Sequence, residues 1–214
     1  MPVELAPPAA FPIAPDSPLV YPPRKRWTRA ECESIEATGL WERDRVELIE
    51  GELITKMPKK RPHVLVFMAV MKWFATVLDM DYLNPEAPIN VAPEDNPTSE
   101  PEPDLAVLTK PGVDYAGGNP PASDVRLVVE ISDSTLAFDL GPKARLYARA
   151  GIPEYWVFDV KARLLIVHRD PVAGRFSSVV SYAEGESVAT AVSAEPFPVA
   201  RAFPFTAESV LFAD

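Results

Sequence analysis

The sequence has little of what stabilises small secreted proteins or builds zinc sites. Its single cysteine, Cys32, excludes an internal disulfide and a zinc site made of cysteines. No apolar run approaches the length of a membrane span, and residues 1–20 lack the basic and apolar regions of a signal peptide. These absences predict a cytoplasmic protein with no membrane partner.

Positive charge is also scarce, since 21 lysines and arginines face 31 acidic residues and give a formal net charge of −10. An acidic body repels the phosphate backbone, which argues against loose adhesion to nucleic acid. A nuclease stays compatible with this charge, because a local basic strip and bound metal ions can offset the acids of an active site. The hydrophobic content of 47% and the length of 214 residues predict one globular domain that needs no disulfide.

The chain divides into a tail and a domain. Residues 1–26 are rich in proline and alanine without apolar periodicity, which predicts an extended or disordered N-terminal tail. Residues 27–214 form the predicted single domain. The capping box Thr28-Arg29-Ala30-Glu31 predicts a helix from Arg29 to Thr38, stopped by Gly39. The order of patterns is helix, hairpin, helix, strands, helix, strands, which is typical of a mixed α/β domain with a central sheet flanked by helices.

Alternation around Glu50-Gly51 predicts a hairpin of Val46–Ile49 and Glu52–Ile54, and apolar residues at helical spacing predict a helix from about His63 to Leu78. The loop from Pro111 to Asp124 is compatible with a flap over a site or with a surface excursion. The remaining predicted elements are an edge strand at Ile89–Ala92, strands at Leu105–Leu108, Leu127–Ile131, Tyr155–Val160, Leu164–His168, Arg175–Tyr182 and Val188–Val192, a helix capped by Asp139 and ended by Gly151, and a closing helix at Thr206–Phe212.

Two acids beside apolar runs suggest a metal site. Asp104 opens one run and Glu130 stands inside another, where a lone carboxylate is costly unless it is paired or binds a metal. Mg²⁺ is commonly held by one or two carboxylates and keeps several waters. Lys143, on the next predicted helix, would orient an attacking water or stabilise the developing charge. The predicted ligands of Mg²⁺ or Mn²⁺ are Asp104, Glu130 and the carbonyl of Ile131, with Glu47, or Glu52 in its place, as a further acid.

Each of these residues also has a purely structural interpretation. Asp104 follows a proline and is compatible with a simple strand start. Lys143 is compatible with an ion pair to Asp139, four residues earlier on the same helix. His63 begins the long helix beside the basic loop Lys56–Pro62, and a structural cap or a surface position explains it as well as catalysis does.

Several motifs, in order, resemble the Uma-type restriction endonucleases, a family once labelled a domain of unknown function and placed in the PD-(D/E)XK nuclease superfamily. The resemblance covers roughly residues 27–182. It is carried by Val46–Glu52, His63 at a helix start, Glu102-Pro103-Asp104, Val129-Glu130-Ile131-Ser132, Asp139 with Lys143 and Tyr147, and Ala150–Trp156.

The resemblance implies a restriction-endonuclease-like core that cuts DNA with a Mg²⁺-activated water held near Asp104 and Glu130. Glu47 matches the first acid of the family. The superfamily pattern carries a lysine two residues after the second acid, whereas this chain has Ser132 there. The resemblance moves the lysine to the following helix, as Lys143.

The resemblance also implies that Asp139 and Tyr147 position the helix rather than take part in the chemistry. A homodimer would suit the cutting of two DNA strands, because a two-fold symmetric protein matches a two-fold symmetric substrate.

Two other functions compete with this one. A non-catalytic member of the same fold would bind nucleic acid or a protein partner, and an unrelated metal-dependent enzyme would hydrolyse small phosphoesters. The complete set Glu47, Asp104, Glu130 and Lys143 favours the nuclease, since a degenerate copy would be expected to have lost part of it.

Overall fold

A computed structural model describes residues 23–39 and 46–205. Its centre is a six-stranded sheet in the order β3-β4-β5-β6-β7-β8, in which only β5 and β6 run parallel. The strands are β1 Val46–Ile49, β2 Glu52–Thr55, β3 Leu83–Pro85, β4 Leu105–Leu108, β5 Val125–Ser132, β6 Glu154–Asp159, β7 Leu164–Val172, β8 Arg175–Ala183, β9 Ser187–Thr190 and β10 Ser193–Pro198.

Helices cover both faces of this sheet, which confirms the predicted mixed α/β architecture. Within the described ranges no helix is long and apolar enough to cross a membrane. The predicted tail up to residue 22 and the predicted closing helix Thr206–Phe212 fall outside those ranges. The helices are α1 Arg29–Glu36, α2 Arg61–Val77 and a composite helix α3 made of Leu136–Phe138, Asp139–Lys143 and Ala144–Arg149; short 3₁₀ turns span Met80–Tyr82, Asn96–Thr98, Gly112–Tyr115, Ala122–Asp124 and Val199–Ala202.

Strand β5 separates two hydrophobic cores. Side chains alternate across a strand, so Leu127 and Val129 pack towards α2 whereas Val128 packs towards α3. The same alternation places Glu130 on the α3 side with Val128. A carboxylate therefore points out of an otherwise apolar strand towards the helix that carries Lys143.

Helix α3 differs from its prediction at the N-terminal end. It begins at Leu136, and Asp139 lies inside it, so the assignment of Asp139 as the N-cap is wrong. Residues Asp139–Lys143 form a π-helical turn, closed by the Ala144 N–H bonding to the carbonyl of Asp139. Pro142 accounts for this wider turn, because a proline inside a helix lacks an N–H and clashes with the carbonyl four residues earlier.

The predicted edge strand at Ile89–Ala92 is wrong, and the edge strand is Leu83–Pro85, paired with β4. Ile89, Val91 and Ala92 are buried without belonging to a strand, and the N–H groups of Ile89 and Asn90 bond to the carbonyls of Pro101 and Pro120. Burial of apolar side chains resembles a strand pattern, but it does not require strand pairing. The apolar residues of this segment therefore predicted a strand where the chain forms a buried loop.

The C-terminal strands also depart from the prediction. The predicted strand Val188–Val192 is β9, at Ser187–Thr190, and it pairs with β10 in a separate two-stranded sheet. The sequence pattern missed β10 because Pro196 and Pro198 lie within it, and prolines are typical of non-strand or edge segments.

Candidate active site

The sequence-predicted residues converge on one cleft of about 910 Å³. It lies where β4 begins and β5 ends, and the loop between β2 and α2 forms one wall. None of the residues 111–124, all of them described, lines it, so that loop is a surface excursion and not a flap over this cleft. The predicted site residues that line the cleft are Glu47, Asp104, Glu130, Ile131 and Lys143.

Sheet register brings the two central acids together. Leu105 of β4 pairs with Val129 of antiparallel β5. The residue before Leu105, Asp104, therefore lies opposite the residue after Val129, Glu130. Strand β5 extends past the start of β4, and there the Asp104 carboxylate Oδ2 accepts the Ile131 N–H at 2.8 Å. Asp104 thus satisfies a backbone donor that has no strand partner and is held at the mouth of the cleft.

The β1–β2 hairpin supplies Glu47. Leu48 forms an isolated bridge with Glu100, and the Glu102 N–H donates to Glu47 Oε2 at 3.3 Å. Glu47 is buried as a result. Glu52, the alternative acid, is exposed and lies 3.3 Å from Arg26, and it does not line the cleft, whereas Glu47 does.

Lys143 connects the hairpin acid to the strand acid. Its Nζ lies 2.9 Å from Glu130 Oε1 and 3.0 Å from Glu47 Oε1, and the Tyr147 hydroxyl donates to the same Glu130 oxygen at 2.9 Å. Asp139 instead accepts the hydroxyls of Ser132 and Thr135. The Lys143 ammonium therefore forms ion pairs with the two glutamates, and Asp139 acts on it only through its charge.

These groups perturb one another strongly. Burial raises the pKa of Glu130 well above its ordinary range; the Lys143 ammonium opposes this, and the neighbouring carboxylates add to it. Burial alone would lower the pKa of Lys143, but the carboxylates of Glu130 and Glu47 raise it above its ordinary value. Three acids share one ammonium here, so the lysine stays charged while Glu130 holds a proton more readily than an exposed glutamate.

Two basic side chains cover Asp104, and sequence reasoning did not assign them to the site. Lys59 Nζ lies 3.0 Å from Asp104 Oδ1, and His63 Nε2 lies 3.2 Å from both carboxylate oxygens. His63 is buried, so the structure excludes the surface position that its sequence context allowed. The available signal was the run of basic residues Lys56–Pro62 directly before the helix that His63 enters.

The charge state of Asp104 follows from these contacts. Burial alone would raise its pKa, but the hydrogen bond from His63, the charge of Lys59 and the Ile131 N–H together lower the pKa to about 2. Asp104 is accordingly ionised at neutral pH. A buried, ionised carboxylate at the mouth of a cleft is a strong ligand for a cation.

Residues 33–198, most of the chain, match a family described as "Uma2: Putative restriction endonuclease". The chain belongs to the Uma2 family. The matched range includes all four residues of the predicted set, and membership supports a nuclease-like function. No curated protein matches this Uma2 member significantly.

The Uma2 assignment agrees with a solved structure. The crystal structure of a "putative nuclease belonging to DUF820" from Anabaena variabilis superposes with a TM-score of 0.57. The identity is 14%, and the superposition covers 78% of this chain and 95% of the other. At that identity the likeness establishes a shared fold.

The donor groups of this Uma2 member fit a divalent cation by charge. Four buried carboxylates, Glu47, Asp104, Glu130 and Asp139, line the cleft, where Lys59 pairs with Asp104 and Lys143 pairs with Glu47 and Glu130. In residues 23–39 and 46–205, however, no three His, Cys, Asp or Glu side chains are close enough to form a ready-made metal site. A site with two carboxylates and several waters is the type that this arrangement allows, and Mg²⁺ favours such sites.

Proposed function

We propose that this protein is a metal-dependent endonuclease that hydrolyses phosphodiester bonds of DNA. One observation carries the proposal: Glu47, Glu130 and Lys143 form a buried ion-paired group in the cleft that also contains the ionised Asp104. Burying this many charges costs stability, and proteins retain such clusters mainly at functional sites.

The proposed metal is Mg²⁺ or Mn²⁺, held by Asp104 and Glu130 with the carbonyl of Ile131 and, as a further ligand, Glu47. When bound, it would lower the pKa of a bound water and offset charge on the phosphoryl oxygens. Glu130 lines the cleft and uses Oε1 for Lys143 and Tyr147, so in this proposal its other oxygen, Oε2, would contact the metal.

Lys143 acts in this proposal as a fixed hydrogen-bond donor. Its raised pKa keeps it protonated, so it cannot accept the proton of the attacking water. Instead its ammonium would orient that water and stabilise negative charge as the water oxygen adds to phosphorus. One phosphorus–oxygen ester bond then breaks, the attacking water gives its proton to bulk solvent, and the leaving oxygen takes a proton from bulk solvent.

Substrate contact falls to the basic wall of the cleft. Lys56, Lys59 and Lys60 all line it and would meet the phosphates, while a bound metal would offset the acids that share the cleft. Phosphate contacts of this kind give affinity without reading sequence. Two copies of the chain, one on each strand, are the proposed assembly for cutting duplex DNA.

The deciding experiment incubates the purified protein with supercoiled plasmid, single-stranded DNA and RNA, each with Mg²⁺, Mn²⁺ or chelator. We expect metal-dependent nicking or linearisation of the plasmid. Asp104→Asn should abolish it while near-UV circular dichroism shows an intact fold, and the matched control Asp124→Asn, at an exposed ion pair with Lys110, should keep full activity. If every substrate survives with every metal, the catalytic proposal fails and the non-catalytic binding function takes its place.

A further inference from the structure

Lys59 occupies an unusual place between the inside and the rim of the cleft. Its Nζ lies 3.0 Å from Asp104 Oδ1 on the inside, and it also pairs with Glu86 on the rim. The same ammonium lies 5.6 Å from the centre of the Phe67 ring. Lys59 therefore has one partner inside the cleft, Asp104, and two partners at or beyond its rim, Glu86 and Phe67.

The inner partner is the carboxylate to which we assign the metal. An ammonium group on a carboxylate oxygen competes with a divalent cation for that oxygen, because it occupies one of the lone pairs and the two cations repel each other. The Lys59 contact at Asp104 Oδ1 therefore weakens metal binding there, and metal binding weakens the Lys59 contact. The Ile131 N–H bonds to Oδ2 and can persist, and so can the His63 contact, because His63 Nε2 lies 3.2 Å from Oδ2 as well as from Oδ1.

We propose that Lys59 is a displaceable internal counter-ion, which neutralises Asp104 in the metal-free protein and moves to the rim of the cleft when a divalent cation binds. This inference rests on the proposed function and adds to it the regulation of metal entry. Lys59 had no catalytic assignment from the sequence, and this inference gives its ammonium a defined role.

The position of Lys59 makes such a movement feasible. Its side chain is 39% exposed and lies on the irregular segment between β2 and α2. Leaving Asp104 costs Lys59 one contact, while Glu86 and Phe67 remain. Lys143 contrasts with it, because that side chain is 6% exposed, lies within a helix and interacts with the carboxylates of Glu130, Glu47 and Asp139.

The first test is calorimetric titration of Mg²⁺ into the wild type and two variants. Lys59→Gln removes the competitor and should tighten the dissociation constant about five-fold, the size expected for a half-exposed lysine–carboxylate pair. Lys56→Gln is the matched control, since Lys56 lines the same cleft but pairs with Glu102. Removing the Lys56 charge changes only the long-range electrostatic field at Asp104. The dissociation constant for Mg²⁺ should therefore change by less than about two-fold.

The second test follows the ammonium itself. Amine-reactive labelling, quantified by peptide mass spectrometry, should show that saturating Mg²⁺ increases the labelling rate of Lys59. Lys110, which lies 2.8 Å from Asp124 outside the cleft, should not change. These outcomes together support the exchange.

The failures are distinguishable. If neither the wild type nor Lys59→Gln binds Mg²⁺ or Mn²⁺, the proposed function and the exchange fall together. If metal binds equally well to both and Lys59 labelling is unchanged, only the exchange is overturned, and Lys59 is a static partner of Asp104.

Discussion

Replacing Lys143 by methionine gives the sharpest test of the buried charge cluster. Methionine has a similar length and keeps the packing of the aliphatic chain, but it removes the ammonium that lies 2.9 Å from Glu130 and 3.0 Å from Glu47. Two buried carboxylates then face each other without a cation. The variant is therefore expected to be less stable and inactive.

The size of the destabilisation follows from the burial of all three groups. Removing one partner of a buried ion pair costs about 3–5 kcal/mol, because the other charge is left uncompensated. Glu130 reduces this cost, since its raised pKa allows it to take up a proton and remain as a neutral, hydrogen-bonded acid. We expect about 3 kcal/mol at neutral pH, a large share of the roughly 5–15 kcal/mol that stabilises a typical domain.

The loss of stability in Lys143→Met should grow as the pH rises. A carboxyl group whose pKa is raised on folding binds more protons in the folded than in the unfolded state, so stability falls as pH rises above its ordinary value of 4.5. Without Lys143 to oppose the burial of Glu130, this effect grows. The difference between wild type and variant should therefore be larger at about pH 8 than at about pH 5.5.

Urea unfolding, followed by the fluorescence of the core residues Trp73 and Trp156, measures these differences. Lys110→Met is the control, because that exposed ion pair should contribute less than about 1 kcal/mol. Adding Glu130→Gln to the Lys143 variant should recover part of the stability. An unchanged unfolding midpoint in Lys143→Met at neutral pH would refute the buried cluster.

Two further predictions concern other buried acids. Glu47→Gln should remove plasmid cleavage, whereas Glu52→Gln on the paired strand should keep it, and the same plasmid assay checks both. Glu154→Ala should lower the free energy of urea unfolding by about 3–5 kcal/mol, because it removes a buried carboxylate that accepts from one buried and two half-buried side-chain donors. Those donors are Trp156 Nε1 at 2.8 Å, Arg169 at 2.6 Å and Thr190 Oγ1 at 3.0 Å, and the exposed Glu195→Gln is the control.

Local patterns predicted much of the fold because they report local physics. The capping box at Thr28 and Glu31 is formed, and α1 follows it directly. The Glu50-Gly51 turn produces the predicted hairpin, with Gly51 at φ +77°. The failures occur where the chain breaks a local rule, such as Pro142 inside a helix and Pro196 inside a strand.

The site was less predictable, because distant segments build it. Asp104 and Glu130 could be chosen from the sequence, since each acid interrupts or borders an apolar run. The contact of Lys59 with Asp104 joins residues 45 apart in sequence, and no pattern within either segment encodes it. The choice between Glu47 and Glu52 likewise required the Leu48–Glu100 bridge, which turns one of the two acids inward.

The serine at position 132 and the helix lysine to which we assign the charge are physically connected. Ser132 occupies the slot two residues after Glu130, on the same face of β5, and its hydroxyl bonds to the Asp139 carboxylate. Thr135 donates to the same carboxylate at 2.6 Å, and the Tyr155 hydroxyl donates to the Asp139 carbonyl at 3.1 Å. These bonds fix the π turn that presents Lys143 to Glu130. A lysine at position 132 would remove the Ser132 bond to Asp139 and add a second ammonium beside Glu130, so the serine is the residue that allows the helix to supply the charge.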